Sequence, residues 1–356
     1  MLISTLHTDK SKSQNLILLV FAISLTLLIF LSLSLGAYTI SISQSFSILM
    51  EQLGIHIGLH SIQQENVLLQ IRLPRIIMAT MVGGGLGIAG ASLQGMFRNP
   101  LVEPGLIGVS SGSALFAVIF MVLIPVTSTL FEPLQLIGLP FFAFFGGLIH
   151  VIGVYKLSKS QGKTESGTLI LAGVAINALA GALIGLVLFF ADDTALRSFT
   201  FWSLGDLGGS VWNKIPISLV LIGVPSLLLL FQHQALNALA LGEQEAFHMG
   251  VNVQRVKLKL LIYCALIVGT GVSMVGMVGF VGLVVPHLIR ILFGADHRLV
   301  LPGSFLLGAI LMNFADLVAR IIVIPAEMPI GVITALVGAP FFIWLIFNLN
   351  HSKTYA

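Results

Sequence analysis

The chain has 356 residues, of which 57% are hydrophobic and only 9% are charged. Soluble domains carry roughly 25% charged residues, so this composition excludes an ordinary soluble protein and predicts a polytopic membrane protein. Because no polar block is long enough for a soluble domain, we expect a single transmembrane domain to take up residues 1–356, with no nucleotide-binding module attached. The single cysteine, Cys264, lies in an apolar run and excludes an intrachain disulfide.

Apolar runs divide the chain into about ten segments of membrane-spanning character. The predicted spans cover residues 16–35, 72–95, 107–125, 135–157, 167–191, 215–231, 260–280, 281–293, 301–324 and 329–347. The run at 281–293 is short and contains Pro286, which favours a broken or partly buried helix. The pattern predicts an all-α polytopic membrane protein.

The basic residues are distributed unequally between the two sides of the membrane in this arrangement. Twelve of the 17 Lys and Arg residues fall on the side that also holds both termini, which the positive-inside rule identifies as the cytoplasm. Topology therefore accounts for the net charge of +3 better than a nucleic-acid partner does. The basic residues left outside are Arg72, Arg75, Arg197, Lys214 and Arg320.

Two glycine motifs resemble nucleotide-binding motifs, but the residues around them argue against nucleotide sites. Gly85, Gly87 and Gly90 spell G-x-G-x-x-G, but they lie in a membrane-length apolar run and do not follow a strand, so we expect close helix packing through small residues. Residues 162–164, GKT, resemble the end of a phosphate-binding loop, but the first glycine that such a loop requires is missing. The chain has no P-loop of its own.

A hairpin at residues 238–259 is the longest charged segment between two apolar runs. Helical spacing predicts a short amphipathic helix that ends at Gly250, followed by a second short helix capped by Asn252. The basic residues that follow place this hairpin on the cytoplasmic side. Charge and spacing alone leave two readings open, an ordinary loop and a contact surface for a partner protein.

The sequence holds few patterns typical of catalysis. It has no H-E-x-x-H motif and no row of acidic residues inside the spans. His56 and His60 are four residues apart and could bind a metal, but no third ligand lies nearby, so no metal site is predicted. Asp316 and Arg320, also four apart, could pair with each other.

Two alternative classes of protein stay open, a secondary transporter of a small organic solute and an intramembrane enzyme. The transporter needs intramembrane ionisable residues, and the enzyme needs a nucleophile and a base on facing helices.

Five ordered motifs carry a family resemblance. They are residues 73–75 (LPR), 98–105 (RNPLVEPG), 280–287 (FVGLVVPH), 294–298 (GADHR) and 325–331 (PAEMPIG). With these motifs the chain resembles the FecCD-type permeases of ABC importers for ferric siderophores, haem and cobalamin, over about Leu16 to Phe347.

The resemblance implies a type II ABC importer permease fold with about ten transmembrane helices per subunit. It implies a homodimer around one central path in the bacterial inner membrane, two separate ATPase subunits that bind ATP and Mg, and a periplasmic binding protein. It implies no catalytic residue and no cofactor on this chain, and no nucleic-acid partner. The stretch at residues 198–205, SFTFWSLG, looks most like haem importers, with ferric siderophores second and cobalamin third.

The resemblance also implies roles for individual residues. Coupling to the ATPase is expected at Gly242, Glu243, Glu245 and Gly250. The expected gate residues are Asn99, Leu101, Ser166 and Gly167. Docking of the binding protein is expected at Arg72, Arg75 and Arg320, unless these arginines anchor helix ends to lipid phosphates.

Overall fold

The structure is a computed structural model, and it describes residues 2–58, 60–123, 132–160 and 163–353. Most of the expected loop at residues 126–134 lies outside these ranges. The helices are α1 (Leu2–Ser34), α2 (Ile42–Glu51), α3 (Ile62–Asn66), α4 (Leu73–Phe97), α5 (Val109–Leu123), α6 (Glu132–Leu157), α7 (Ser166–Phe189), α8 (Asp193–Ser203), α9 (Ile215–Ser218), α10 (Val224–Leu230), α11 (His233–Leu241), α12 (Glu243–His248), α13 (Val253–Val275), α14 (Val281–Phe293), α15 (His297–Ile321) and α16 (Ile330–Lys353). Within the described ranges the only strands are β1 (Lys159–Ser160) and β2 (Lys163–Thr164), which pair antiparallel.

The helices account for the predicted number of membrane crossings. Among the described residues, 7 helical stretches are long and apolar enough to span a bilayer, and α5, α14 and the first part of α16 are shorter apolar helices that bring the total to ten. The short predicted segment at 281–293 is α14, with Pro286 inside the helix. Phe280, with φ of +68°, precedes α14, and Gly294, with φ of +94°, follows it. The prediction of about ten helical segments is confirmed.

α4 forms the centre of the bundle. Joined to α3 through a π-helical turn at Val67–Arg72, it belongs to a helical stretch of 36 residues. An added Cβ at Gly87 would lie 2.1 Å from the carbonyl oxygen of Ser304, and one at Gly90 would lie 1.9 Å from that of Gly282. Since neither position has space for a side chain, α4 approaches α14 and α15 backbone to backbone. The prediction of close packing in this span is confirmed.

Among the seven membrane-length helical stretches in the described residues, α7 is the least covered by the rest of the chain. Only 11% of its most hydrophobic window is buried, compared with 83% for the stretch that contains α4. One face carries large exposed apolar residues, with Leu171 exposed by 71% and Phe189 by 80%. This face is therefore open to lipid or to another subunit.

The hairpin between α10 and α13 differs from its predicted form. The first helix is split at Gly242, whose φ of +134° separates α11 from α12. Gly250, with φ of +84°, ends the turn as predicted, and Asn252 caps α13 by accepting a hydrogen bond from the Arg255 backbone N–H at 3.1 Å. The second helix runs into the next apolar segment as predicted, but it is not short, because nothing after Val253 interrupts it and α13 continues to Val275.

Candidate coupling, gate and docking sites

We name the end of the bundle where α4 finishes the inner end, and the end where its helical stretch begins the outer end. At the inner end, α11, α12 and the first turn of α13 form the hairpin surface. Phe247 is exposed by 70% and Met249 by 63%, although both are apolar. A concavity of about 940 Å³ beside them is lined by Glu243, Phe247, His248 and neighbouring residues. Exposed apolar side chains around a concave surface are typical of a protein contact.

The predicted coupling residues occupy different positions within this surface. Glu245 is exposed on α12 and faces away from the bundle, where a partner can reach it. Glu243 is half-buried and points back to the bundle, where its Oε1 lies 2.6 Å from Lys257 Nζ. Gly250 has open space around it, so its positive φ, and not crowding, favours glycine there.

Lys257 was not predicted as a functional residue. It is a lysine with only 1% exposure, and it donates to the backbone oxygen of Thr164 at 3.0 Å as well as to Glu243. Ser166 Oγ donates to the same Glu243 oxygen at 3.3 Å. The hairpin surface is thereby joined to the beginning of α7. The sequence alone predicts only that Lys257 is another cytoplasmic charge, because its partners are distant along the chain.

The predicted gate residues form two groups near the hairpin. Asn99 Oδ1 accepts a hydrogen bond from the Leu101 backbone N–H at 2.9 Å, which fixes a tight turn, and Leu101 is exposed by 48%. An added Cβ at Gly242 would lie 3.8 Å from the guanidinium of Arg98, so this turn adjoins the hairpin surface. Ser166 reaches Glu243, and Gly167 has open space around it. Their gating role stays a prediction.

Glu103, in the motif at residues 98–105, lies half-buried next to the chain between α13 and α14. One of its carboxylate oxygens would be 3.9 Å from an added Cβ at Gly279, and the carboxylate accepts a hydrogen bond from the Phe280 backbone. Burial raises the pKa of Glu103, and the bond from Phe280 opposes that rise.

The arginines at the outer end, which were predicted to dock a binding protein, are buried in the structure. Arg72 is exposed by 4%, Arg75 by 6% and Arg320 by 7%. Arg72 donates to the backbone oxygens of Leu33, Ser34 and Tyr38, so it holds the end of α1 in place. Burial on this scale also leaves little contact with lipid phosphates.

The other two arginines share a buried carboxylate. Asp316 is fully buried, with Arg75 Nε at 2.7 Å from Oδ1 and Arg320 Nε at 3.0 Å from Oδ2. Arg75 also contacts Glu327, at 2.7 Å, and Arg320 donates to Ser32 Oγ. The predicted alternative that Asp316 and Arg320 pair is confirmed. Docking by these arginines stays a prediction, and the burial of their charges argues against it.

A cavity of about 680 Å³ opens near the outer end. Its wall includes α8 residues from the stretch that favoured haem, among them Phe201 and Trp202, together with Met274 and Met328. Phe199 and Trp202 stack with ring centroids 6.1 Å apart. The lining thus combines aromatic and methionine side chains with the charged residues Asp206, Lys214 and Glu327.

His56 and His60, the pair considered as metal ligands, both lie next to a carboxylate. Glu51 lies 3.2 Å from His56 Nδ1 and 2.9 Å from His60 Nε2. Among the residues that the structure describes, no group of three or more His, Cys, Asp or Glu side chains is arranged to hold a metal ion.

Comparison with known proteins identifies the family. A model of the FecCD transport family matches residues 24–348. The hemin transport system permease protein HmuU of Yersinia pestis is 44% identical over 81% of this chain and 85% of its own length. The vitamin B12 import system permease protein BtuC of Vibrio vulnificus is 39% identical over 80% of this chain and 83% of its own length.

A solved structure agrees with these relatives. It is an inward-facing conformation of a metal-chelate type ABC transporter, 34% identical, with a TM-score of 0.80 over 93% of this chain and 99% of the other. Sequence and fold therefore agree across almost the whole length of the protein. The chain belongs to the FecCD transport family and is a membrane-spanning permease of an ABC importer.

Proposed function

We propose that this permease imports an iron-containing chelate across the bacterial inner membrane, with haem favoured, a ferric siderophore second and cobalamin third. The observation that favours haem over cobalamin is the 44% identity to a hemin permease, against 39% to a vitamin B12 permease over a similar share of the chain. This chain contributes the path, and ATP is hydrolysed with Mg on a separate subunit. No residue of the chain is assigned a catalytic role.

The outer cavity supports haem on chemical grounds. Phe201 and Trp202 offer flat π surfaces on which a planar macrocycle can stack, and Met274 and Met328 add polarisable contacts. A volume of about 680 Å³ lies within the range of small-molecule and cofactor sites.

The exposed surfaces indicate which partner proteins the chain is proposed to bind. A second copy of this chain is proposed to cover part of the apolar face of α7, completing one central path between two subunits. Two ATPase subunits are proposed to hold the hairpin surface through Glu245 and the exposed apolar side chains around it. A periplasmic binding protein is proposed to deliver substrate to the outer end, and both termini lie in the cytoplasm.

Transport then depends on motion of the hairpin surface. Closure of the ATPase subunits displaces α12, and short helices that pack on the bundle transmit such a displacement better than a flexible loop would. The gate at Asn99, Leu101, Ser166 and Gly167 lies next to this surface and is proposed to open and close in response.

Reconstituted transport tests the order of substrates. The permease, its ATPase and its binding protein are placed in proteoliposomes and offered haem, a ferric siderophore and cobalamin in turn, with and without ATP. We expect ATP-dependent uptake of haem to exceed uptake of the other two. Uptake of cobalamin alone would overturn the order while leaving the importer assignment in place.

A further inference from the structure

We propose that Lys257 is the positioning residue that transmits displacement of the hairpin surface to α7. The inference rests on the proposed ATPase partner, because that partner supplies the displacement. It adds a residue, and a defined mechanical link, to the coupling surface described above.

The burial of Lys257 requires an explanation. Its ammonium group is almost completely removed from solvent, with 1% of the residue exposed, and a buried charge is costly unless it is paired and hydrogen-bonded. Two oxygens compensate it, Glu243 Oε1 at 2.6 Å and the backbone oxygen of Thr164 at 3.0 Å. The side chain therefore connects α12 to β2 while belonging to α13.

The connection continues into α7. Thr164 precedes the first residue of α7 by two positions, and its backbone N–H donates to Gln254 Oε1 at 2.9 Å, so α13 holds this segment through both N–H and C=O. Ser166, the first residue of α7, donates to Glu243 at 3.3 Å. Any movement of Glu243 relative to the bundle therefore acts on the beginning of α7 through three polar contacts.

α7 is suited to respond, because it is the least buried of the membrane-length helical stretches in the described residues. One close contact is at Gly173, where an added Cβ would lie 1.9 Å from the carbonyl oxygen of Leu106, and one turn later Asn177 Nδ2 donates to the Gly105 carbonyl at 3.1 Å. With this contact as a pivot, a pull on Ser166 tilts the helix. A tilt of the least buried helix changes the width of the path.

The test compares two lysines on the same helix. Lys257→Met removes the buried ammonium with little change in volume, and Lys259→Met makes the identical change at an exposed position two residues later. Uptake of haem per ATP hydrolysed is measured in proteoliposomes with the ATPase and the binding protein. We expect Lys257→Met to lower this ratio by about tenfold or more, equivalent to about 1.4 kcal/mol, and Lys259→Met to match wild type.

A double variant separates transmission from simple stability. Glu243→Gln with Lys257→Met removes both charges, so it relieves the unpaired carboxylate without restoring the link. We expect its ratio to stay low, and recovery to the wild-type ratio would overturn the proposal. If Lys257→Met does not assemble, Glu243→Gln alone removes the same ion pair from a side chain that is 37% exposed, and an unchanged ratio there would overturn the proposal equally.

A distance measurement provides an independent readout. Spin labels at Gln244 and Glu165, which are both exposed, report on the hairpin surface and on the beginning of α7, away from the pivot at Gly173. In wild type we expect their separation to hold constant between nucleotide-free and ATP-bound complexes, and in Lys257→Met we expect it to change. Identical behaviour of the two proteins would refute the link. Failure of the proposed function itself would be seen differently, as wild-type protein without any ATP-driven uptake.

Discussion

Asp316 is the residue whose replacement should most damage the outer end of the bundle. It is fully buried and compensates both Arg75 and Arg320. Asp316→Asn keeps the volume but removes the charge, which leaves two buried guanidinium groups close to each other without their shared partner. Breaking a buried ion pair by removing one partner costs about 3–5 kcal/mol. Glu327→Gln is the matched control, because that carboxylate is 47% exposed and an exposed pair contributes below about 1 kcal/mol.

The assay is the temperature at which purified permease in detergent loses its monodisperse state. We expect a large fall in this midpoint for Asp316→Asn and a small one for Glu327→Gln. Equal midpoints for the two variants would refute the reasoning that the cluster is structural. The docking prediction gives a different pattern, in which Arg75→Glu weakens affinity for the binding protein in a salt-dependent way while the thermal midpoint stays unchanged.

Three further predictions concern single positions. Gly90→Ala should prevent stable folding, since its Cβ would meet a backbone oxygen at 1.9 Å, whereas Gly223→Ala, with open space around it, should be tolerated; the yield of monodisperse protein checks both. Gly250→Val should abolish ATP-driven uptake because a β-branched residue resists the φ of +84°, and Gly250→Asn should retain most of it, as uptake assays would show. Because a raised carboxyl pKa means that the folded protein holds the proton more tightly than the unfolded chain does, stability should fall as pH rises from the ordinary carboxyl pKa through the raised value at Glu103. Glu103→Gln should flatten that fall in thermal midpoints measured against pH.

The sequence predicted the fold well where hydropathy decides it. The short α14 and the glycine packing of α4 follow from apolar run length and small residues, which are local signals. The break between α11 and α12 in the hairpin was harder to predict, because Gly242 lies inside an otherwise helical pattern. Whether a glycine interrupts a helix or continues it depends on the backbone angle that the surroundings impose, and here φ is +134°. Composition does not record that angle.

The polar contacts were mostly beyond sequence reasoning. Asp316 and Arg320 lie one helical turn apart, so their pairing was visible as an alternative. Arg75 joins them from 241 residues away, and Lys257 reaches Thr164 across 93 residues. No spacing rule connects such positions, because they meet only after the helices pack. The sequence therefore did not show that Arg72, Arg75 and Arg320 have hydrogen-bond partners inside the protein.

The central claim is that ATP hydrolysis on a partner subunit, acting through the hairpin surface, drives uptake by this permease. The most direct measurement is haem uptake into proteoliposomes that contain wild-type or Glu245→Lys permease, with the ATPase and the binding protein, in the presence and absence of ATP. The account predicts uptake only with wild-type permease and ATP, and none with Glu245→Lys even though that protein inserts normally. Uptake that persists without the ATPase subunit and follows an imposed ion gradient would contradict the account and would favour a secondary transporter.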